Sequence, residues 1–566
     1  MRFERNRLAR YLAVIMLCGF TSLHFAVLRA QITRSIPGDP LKIESGLVSG
    51  TMGANGVKTY LGIPFAAPPI RENRWRAPQP VVPWDGVWTA NKMPAECLQR
   101  LRSTTTNQYF GDELSGEDCL YLNIWAPAHA KPANRLPVVV YIYGGAYFIG
   151  SASMPLYAGD EIAKKNVIYV AANYRVGVMG FMAHPEATKE SGHNASGNWG
   201  LLDQIAALKW VQRNIATFGG DPGNVTLVGQ SAGSMSINIL QASPLAKGLF
   251  RRIVGMSGSN LGGAIAPIPA LATAEAQGLK LQQALKVSSL EEMRAISSDR
   301  IFAAAMPAGV QAGPVVDGYL LPEPVDSIFK QGKQIDVPLL TGSTANDIGT
   351  TPPIRAATTA EQFRTLAAQS YGTASEELLK LCPVQDDADA RQKAELIGVN
   401  SGFAISAREW AKAHVKTGKQ PAYLYLVTRV QPFTPGVTFS DMDTKTAGAY
   451  HTSDVPYWLG TYESFNLLRH TRDWTTWDRE LSNDMQDVIV EFAKAGNPST
   501  SAVKFTAYDP TNEVRTTLGD KITVGKLDSK LMDFLLAHPP SVPGRDAHSR
   551  RVAAPENPGL PPNPRD

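Results

Sequence analysis

The stretch FGGDPGNVTLVGQSAGSMSINILQA, residues 218–242, decides the fold. A Gly-Asp-Pro-Gly turn leads into the β-forming run VTLV, and Ser231 then lies between Gly229 and Gly233 in the pattern G-x-S-x-G. A helical pattern follows at once. The order strand, sharp turn and helix is typical of a nucleophilic serine held clear of a sheet. The glycines leave room where side chains would collide, and the helix directs its first N–H groups at an anion beside the serine.

Two flanking runs of β-branched and aromatic residues, LPVVVYIY (136–143) and NVIYVAANYR (166–175), are typical of strands covered on both faces. Helical patterns separate such runs, notably LLDQIAALKWVQRNIATF (201–218), whose apolar residues recur at intervals of three and four. Strands that alternate with helices predict a mostly parallel sheet with right-handed crossovers. The sequence therefore predicts an α/β protein in which helices flank a central sheet.

The first thirty residues place four arginines before an apolar stretch that starts at Tyr11, and they end in the small residue Ala30. This pattern predicts a secretory signal peptide over 1–30, or a membrane anchor if the leader stays uncleaved. The five arginines and one glutamate of the leader give it the same net charge, +4, as the whole chain. The remainder is therefore near neutral, which argues against a surface for nucleic acid or anionic lipid.

The rest of the 566-residue chain has no internal repeat and no long low-complexity tract before its end. The whole chain has 44% hydrophobic and 19% charged residues, which is typical of a globular protein. The simplest organisation is one catalytic domain over 31–540, followed by a flexible proline-rich tail over 541–566. With the leader, this organisation predicts a secreted or periplasmic protein.

Three cysteines lie beyond the leader: Cys97, Cys119 and Cys382. Export favours one disulfide between the two that are close in sequence, with Cys382 left over. Three buried, reduced thiols are the alternative.

A nucleophilic serine needs a base, and in the chain order nucleophile, acid, base it follows Ser231. The later histidines are His414, His451, His470, His538 and His548. His548 is near the polar tail, and His414 lies in the polar helical stretch REWAKAHVKTGK. His451 lies in AGAYHTSDVPYWLG, a small-residue loop of the kind expected at the carboxyl end of a strand. We favour His451 as the base over a buried or capping role for it.

An acid must orient the imidazole and stabilise its charged form. In IDVPLLTGSTANDIGT, a short apolar strand opens into a loop that holds Asp347. The rival is Asp317, in PVVDGYLLP, but its Asp-Gly turn makes a backbone-capping role more natural. We therefore favour Asp347.

Ester hydrolysis passes through an oxyanion, which needs converging N–H donors. In YIYGGAYFIGS, the glycine pair after the strand lets the backbone approach the substrate, so the N–H groups of Gly145 and Ala146 can point at the oxygen. The N–H of Ala232, directly after the nucleophile, is the third donor.

These residues resemble the type B carboxylesterase and cholinesterase family of α/β hydrolases, over about residues 40–535. The matching motifs follow the family's order: YLGIPFAAPP, EDCLYLNIW, YGGAYFIGS, GNWGLLDQIAALKWVQRNIATFGGDPGNVTLVGQSAG, VPLLTGSTANDIG, AYHTSDVPYWLG and EFAKAGNP. The resemblance implies that Ser231 is the nucleophile and His451 the base, that Gly145, Ala146 and Ala232 form the oxyanion hole, and that Cys97 pairs with Cys119.

Two positions depart from the family pattern. The acid loop usually contains Asp-Glu-Gly, with the glutamate as acid, whereas this chain has NDIG, and Asp347 takes the place of the glutamate. A carboxylate one methylene shorter needs a closer loop. Ala146 stands where many members have a third glycine, but a backbone N–H donor survives that change.

The resemblance implies an exported serine carboxylesterase that acts on a small-molecule ester through an acyl-enzyme on Ser231, without a cofactor. Some family members are instead adhesion proteins with the same fold and a broken triad, so the fold alone does not establish activity. Here each catalytic position holds a competent residue. A metal-dependent hydrolase is disfavoured, because the chain has no H-E-x-x-H motif and no tight Cys/His cluster.

Substrate choice is predicted mainly by exclusion. Cholinesterases carry a tryptophan in the disulfide loop, which stacks on the quaternary ammonium, and a glutamate before the nucleophile. The loop LQRLRSTTTNQYFGDELSGED has no tryptophan, although Tyr109 and Phe110 can partly replace the ring, and the neutral Gln230 precedes Ser231. The loop arginines, Arg100 and Arg102, leave open a preference for polycarboxylate esters, with a solvated surface as the simpler interpretation. An esterase specialised for bulky-alcohol esters is a further alternative.

Overall fold

The computed structural model describes residues 33–100, 104–108, 111, 113–263, 267–349 and 353–539. The predicted leader over 1–30 and the tail over 541–566 lie outside these ranges, as do Arg102, Tyr109, Phe110 and His548. Within the described ranges, no helix combines the length and the apolar character needed to cross a membrane.

The strands are short at the amino end of the chain and longer in its middle. They are β1 (Arg34–Ser35), β2 (Leu41–Ile43), β3 (Gly46–Ser49), β4 (Thr51–Met52), β5 (Val57–Pro64), β6 (Val87–Thr89), β7 (Glu96–Cys97), β8 (Ser115–Gly116), β9 (Tyr121–Pro127), β10 (Leu136–Ile142), β11 (Ile168–Ala172), β12 (Gly220–Gln230), β13 (Arg252–Met256), β14 (Leu339–Thr344), β15 (Ala422–Val427), β16 (Val514–Leu518) and β17 (Ile522–Lys526).

One large mixed sheet dominates the described part of the chain, in the strand order β1-β4-β5-β9-β11-β10-β12-β13-β14-β15-β16-β17. The strands from β11 to β16 in that order pair in parallel, and those towards both edges pair antiparallel. A small sheet contains β2, β3 and β6, and β7 pairs with β8. Because the middle strands are parallel, their carboxyl ends meet at one edge, where loops can converge on a site.

Helices occupy the crossovers between the parallel strands, and the last helix follows the last strand. They are α1 (Asp160–Ala163), α2 (Gly177–Phe181), α3 (Pro185–Glu190), α4 (Trp199–Asn214), α5 (Ala232–Ala242), α6 (Leu271–Leu285), α7 (Leu290–Ala295), α8 (Ser298–Ala305), α9 (Val325–Lys330), α10 (Ala360–Tyr371), α11 (Ser375–Leu381), α12 (Asp387–Asn400), α13 (Phe403–Thr417), α14 (Val455–Leu459), α15 (Thr476–Ala495) and α16 (Lys530–Ala537).

The predicted α/β architecture and its principal strands are confirmed. Every residue of β11 is buried, as expected for a strand covered on both faces. The predicted helix over 201–218 starts earlier, at Trp199, and its last turn is a 3-10 helix over Ile215–Phe218. Gly219, in the left-handed region with φ 95°, ends that turn.

Two local features differ from what the sequence patterns indicate. The Gly-Asp-Pro-Gly turn belongs to β12 and forms an irregularity where its register with β10 shifts. Asp221 stabilises this irregularity, because its carboxylate accepts the N–H of Gly223 at 2.9 Å. His414 is fully buried although its stretch reads as polar, because it faces inward on the same side of α13 as Trp410.

A second apolar cluster lies apart from the main core. It is built by α10, α11, α12 and α16, and it contains Phe363, Leu378 and Phe534. Cys382 is a free thiol in this cluster, where burial raises its pKa to about 11. An inert thiol of this kind fits the prediction that Cys382 is left over.

The predicted disulfide between Cys97 and Cys119 is present, and both residues are buried. The pairing of β7 with β8 brings the two ends of this segment together. The two cysteines are 22 positions apart in sequence. Closing a loop of this length stabilises the fold by about 3 kcal/mol in the chain-entropy description. We call the segment between the two cysteines the disulfide loop.

Candidate active site

Ser231 occupies the sharp junction between β12, which ends at Gln230, and α5, which begins at Ala232. Its backbone is in a rare conformation, with φ 57° and ψ −126°. Two hydrogen bonds hold this geometry: Ser231 donates its N–H to the carbonyl of Met256 at 2.8 Å and accepts from the N–H of Met235 at 2.9 Å. A strained non-glycine residue at such a point is typical of a functional site.

The two glycines around Ser231 are required by close packing, as the motif predicts. A Cβ at Gly233 would collide with the carbonyl oxygen of Ile142 in β10. A Cβ at Gly229 would lie 2.7 Å from the side chain of Ile237 in the helix. The strand, the turn and the helix can therefore pack this closely only when both positions lack a side chain.

The candidate base and acid meet directly. His451 donates from Nδ1 to Oδ1 of Asp347 at 2.5 Å. The Asp347 side chain is fully buried, and its oxygens also accept the backbone N–H groups of Thr344 at 3.0 Å and Ile348 at 2.8 Å. These bonds aim the carboxylate at the imidazole and fix which ring nitrogen carries the proton.

Burial by itself would raise the pKa of Asp347. The interaction with His451 and the N–H of Thr344 outweigh this effect and hold that pKa below its usual value. The carboxylate is therefore charged in the range where an esterase works, and it can stabilise a protonated imidazole.

The rival acid, Asp317, is bound elsewhere. One of its oxygens accepts the N–H groups of Tyr319 and Leu321 at 3.0 and 2.9 Å, and the other accepts from Asn198 at 2.8 Å. Burial raises the pKa of Asp317. These contacts give Asp317 the turn-capping position that its Asp-Gly context predicts.

The ring of His451 also contacts two residues that the sequence did not single out for this purpose. Its second nitrogen, Nε2, lies 3.2 Å from Nε2 of Gln230, the residue before Ser231. The ring of Phe403 stacks on the imidazole with 5.3 Å between the centroids. The imidazole is thus placed against the Ser231 turn on one side and against an apolar surface on the other.

The loop after β10 faces Ser231 from the neighbouring strand. A Cβ at Gly144 would lie 2.8 Å from Cβ of Ser231, so this backbone touches the turn. Gly145, Ala146 and Tyr147 follow with φ 113°, 55° and 67°. The predicted donors Gly145 and Ala146 therefore follow directly after a residue that touches the Ser231 turn.

A buried acid beyond the histidine was also missed. Asp454 is fully buried, and burial together with the charge of Asp347 raises its pKa to about 7. Trp458 donates to one of its oxygens at 3.1 Å. The available signal was an aspartate three residues after His451, but sequence alone does not show its burial. In the described part of the chain, no group of three or more His, Cys, Asp or Glu side chains is arranged to hold a metal ion.

Comparison with known proteins agrees with this geometry. The model of the carboxylesterase family matches residues 39–534. The chain is 36% identical to the fumonisin B1 esterase of Sphingopyxis macrogoltabida, over 80% of this chain and 82% of that protein. It is 33% identical to the cocaine esterase of Homo sapiens, over 88% and 90% of the two chains. The solved carboxylesterase of Geobacillus stearothermophilus superposes with a TM-score of 0.72 at 26% identity, covering 87% and 98%.

The parallel sheet, its crossover helices and the serine turn define an α/β hydrolase. The chain belongs to the carboxylesterase family and is a carboxylic ester hydrolase of type B. The family resemblance inferred from the motifs is therefore confirmed.

We expect Asp347→Asn to lower kcat on the order of 10⁴-fold, because an amide no longer holds the imidazole in the tautomer that can accept a proton. Asp317→Asn is the matched control. It should change kcat by less than threefold but lower the free energy of unfolding by about 1–3 kcal/mol, since the amide nitrogen that replaces Oδ2 cannot accept from Asn198. Steady-state kinetics and denaturant unfolding of both variants test this. The reverse pattern would move the acid to Asp317.

We expect Gln230→Glu to move the acidic limb of kcat/KM upward by about one pH unit or more. A carboxylate beside Nε2 of His451 stabilises the protonated imidazole, which cannot act as a base, so activity at low pH is lost. Gln230→Met removes the amide without adding charge, and its limb should stay in place. Rates for a neutral ester from pH 5 to 9 provide the measurement. If the acidic limb of kcat/KM stayed in place in Gln230→Glu, residue 230 would not influence the protonation of the histidine that acts as the base.

Proposed function

We propose that Ser231, His451 and Asp347 form the catalytic triad of an esterase that works through an acyl-enzyme. The observation that carries the proposal is the bond between His451 and the buried carboxylate of Asp347, beside the Ser231 turn. His451 accepts the Ser231 proton while Oγ attacks the ester carbonyl, and it then passes this proton to the leaving alcohol. Water, deprotonated by the same imidazole, frees the acid and restores the serine.

The oxyanion of each tetrahedral intermediate would bind the N–H groups of Gly145, Ala146 and Ala232. Two features support this assignment: Gly144, the residue directly before these two donors, packs on Ser231, and Ala232 is the first residue of α5. A helix N-terminus presents unpaired N–H groups and a favourable dipole to a negative charge. Ala146 keeps the donor that a third glycine would supply, because the group involved belongs to the backbone.

We further infer that the substrate is a small, neutral carboxylic ester rather than a choline ester. The support is the neutral Gln230 beside the base, where a cholinesterase has a charged glutamate, and a disulfide loop without tryptophan. Arg100 is exposed, which favours a solvated role for it over recognition of a carboxylate. Two relatives are named for different esters, fumonisin B1 and cocaine, so the family fold accommodates more than one substrate.

The proposed enzyme is exported, with a leader over 1–30, a single catalytic domain over 31–540 and a tail over 541–566. The support is the arginine-rich apolar leader and the disulfide between Cys97 and Cys119, a bond that is typical of oxidising compartments.

We expect Ser231→Ala to abolish ester turnover while the protein stays folded, because no other group then accepts the acyl chain. In the wild type, mass spectrometry after rapid quenching of a p-nitrophenyl ester reaction should find the acyl group on Ser231. Circular dichroism of Ser231→Ala controls for folding. Near-wild-type turnover in this variant, or acylation at another residue, would refute the assignment.

We expect a short-chain p-nitrophenyl ester to have a higher kcat/KM than a choline ester of the same acid, because the disulfide loop has no tryptophan to stack on the ammonium group and the residue before Ser231 is the neutral Gln230. An ester with a free carboxylate on the acyl group is the third substrate of the panel. Preference for the choline ester would overturn the inference about substrate class, and preference for the carboxylate ester would favour the polycarboxylate alternative.

A further inference from the structure

The disulfide loop reaches the segment that carries His451. Its described tip, residues 104–108, ends in Gln108, whose side-chain amide donates to the hydroxyl of Thr452. Thr452 is the residue directly after His451. A contact from a distant part of the chain therefore ends one residue from the proposed base.

The tip is docked by more than this single bond. Asn107 donates its backbone and side-chain N–H groups to the two oxygens of Asp441 at 2.9 and 2.7 Å. Thr105 accepts the N–H of Ser440 at 3.0 Å, and the hydroxyls of these two residues are also 3.0 Å apart. The disulfide loop thus lies along the same stretch of chain that leads to His451.

Thr452 has a backbone conformation that needs such support. Its φ is +77°, in the left-handed region, and a β-branched residue there is a genuine outlier. Glycine adopts this conformation without steric strain. Strained residues persist where the surrounding structure holds them in place. Here the side chain that creates the strain also makes the contact with Gln108.

We propose that Gln108 and Thr452 form a clamp through which the disulfide loop positions His451. Both are positioning residues, and the proposal rests on the proposed role of His451 as the base. The clamp holds the left-handed turn at Thr452, and that turn fixes where the imidazole stands relative to Ser231 and Asp347. Small displacements of a reacting group reduce the rate strongly, because attack requires a narrow range of geometry.

Local hydrogen bonds limit the size of the effect. Ser453 donates its N–H to the carbonyl of Tyr450 at 2.9 Å, and Val455 donates to that of Thr452 at 3.2 Å. The bond from His451 to Asp347 involves neither Gln108 nor Thr452. We therefore expect a loss of about tenfold in rate rather than the complete loss expected for a triad residue.

The test is a double-mutant cycle of Gln108→Ala and Thr452→Ala, with a short-chain p-nitrophenyl ester as substrate. Each single variant should lower kcat about tenfold with KM within twofold, because the clamp acts on the base and not on the bound ester. The double variant should lose no more than the worse single variant, since both changes remove one interaction. Thr452→Ser keeps the hydroxyl and should retain at least half of the wild-type kcat.

Thr434→Ala is the matched control, because the Thr434 hydroxyl bonds to Asp473 in the same region, and its kcat should stay at the wild-type level. If Thr452→Ala does not fold, Gln108→Ala alone decides the question. Wild-type kcat in Gln108→Ala, or additive losses in the double variant, would overturn the clamp while leaving the triad assignment intact. Failure of the triad assignment would instead appear as activity retained in Ser231→Ala.

Discussion

The left-handed backbone of Ser231 is the constraint on which the rest of the site depends. A serine with φ 57° between β12 and α5 is held because its N–H and carbonyl are both bonded and because neither flanking glycine has a side chain. The close contact of Gly233 with β10 fixes the helix to the sheet. Gly144, which follows β10, touches the serine from the neighbouring strand. One strained residue therefore determines how three elements meet.

Much of this arrangement could be predicted from the sequence, because each of its elements is encoded within a short stretch of the chain. The strands, the crossover helix and the serine turn each carry a pattern that is complete within about twenty residues. The sequence distinguished Asp347 from Asp317 because an aspartate in an Asp-Gly turn forms hydrogen bonds with nearby backbone N–H groups and is then not free to orient a histidine. Gly145 and Ala146 could be proposed as donors for a similar reason, since the groups involved are backbone N–H groups that follow directly after a strand.

The remaining features depend on contacts between distant segments. Nothing in the stretch that contains Phe403 shows that its ring stacks on His451, and the polar appearance of the stretch around His414 conceals a buried side chain. The burial of Asp454 and the hydrogen bond between Gln108 and Thr452 depend on how distant loops pack against one another. Sequence patterns therefore located the residues proposed for the chemistry and missed those that surround and orient them.

The helices from α10 to α12, with their separate apolar cluster, interrupt the chain between the acid loop and α13. The two ends of this insertion are joined, because Phe403 donates its N–H to the carbonyl of Ile348 at 3.1 Å. Chain segments whose ends meet are tolerant of replacement and change of length. The insertion therefore enters and leaves the fold at one place, so its helices can be exchanged as a unit. A different helical module that also covers the apolar face of α16 could be grafted between these two residues while the carboxylate of Asp347 and the ring that packs on His451 keep their places.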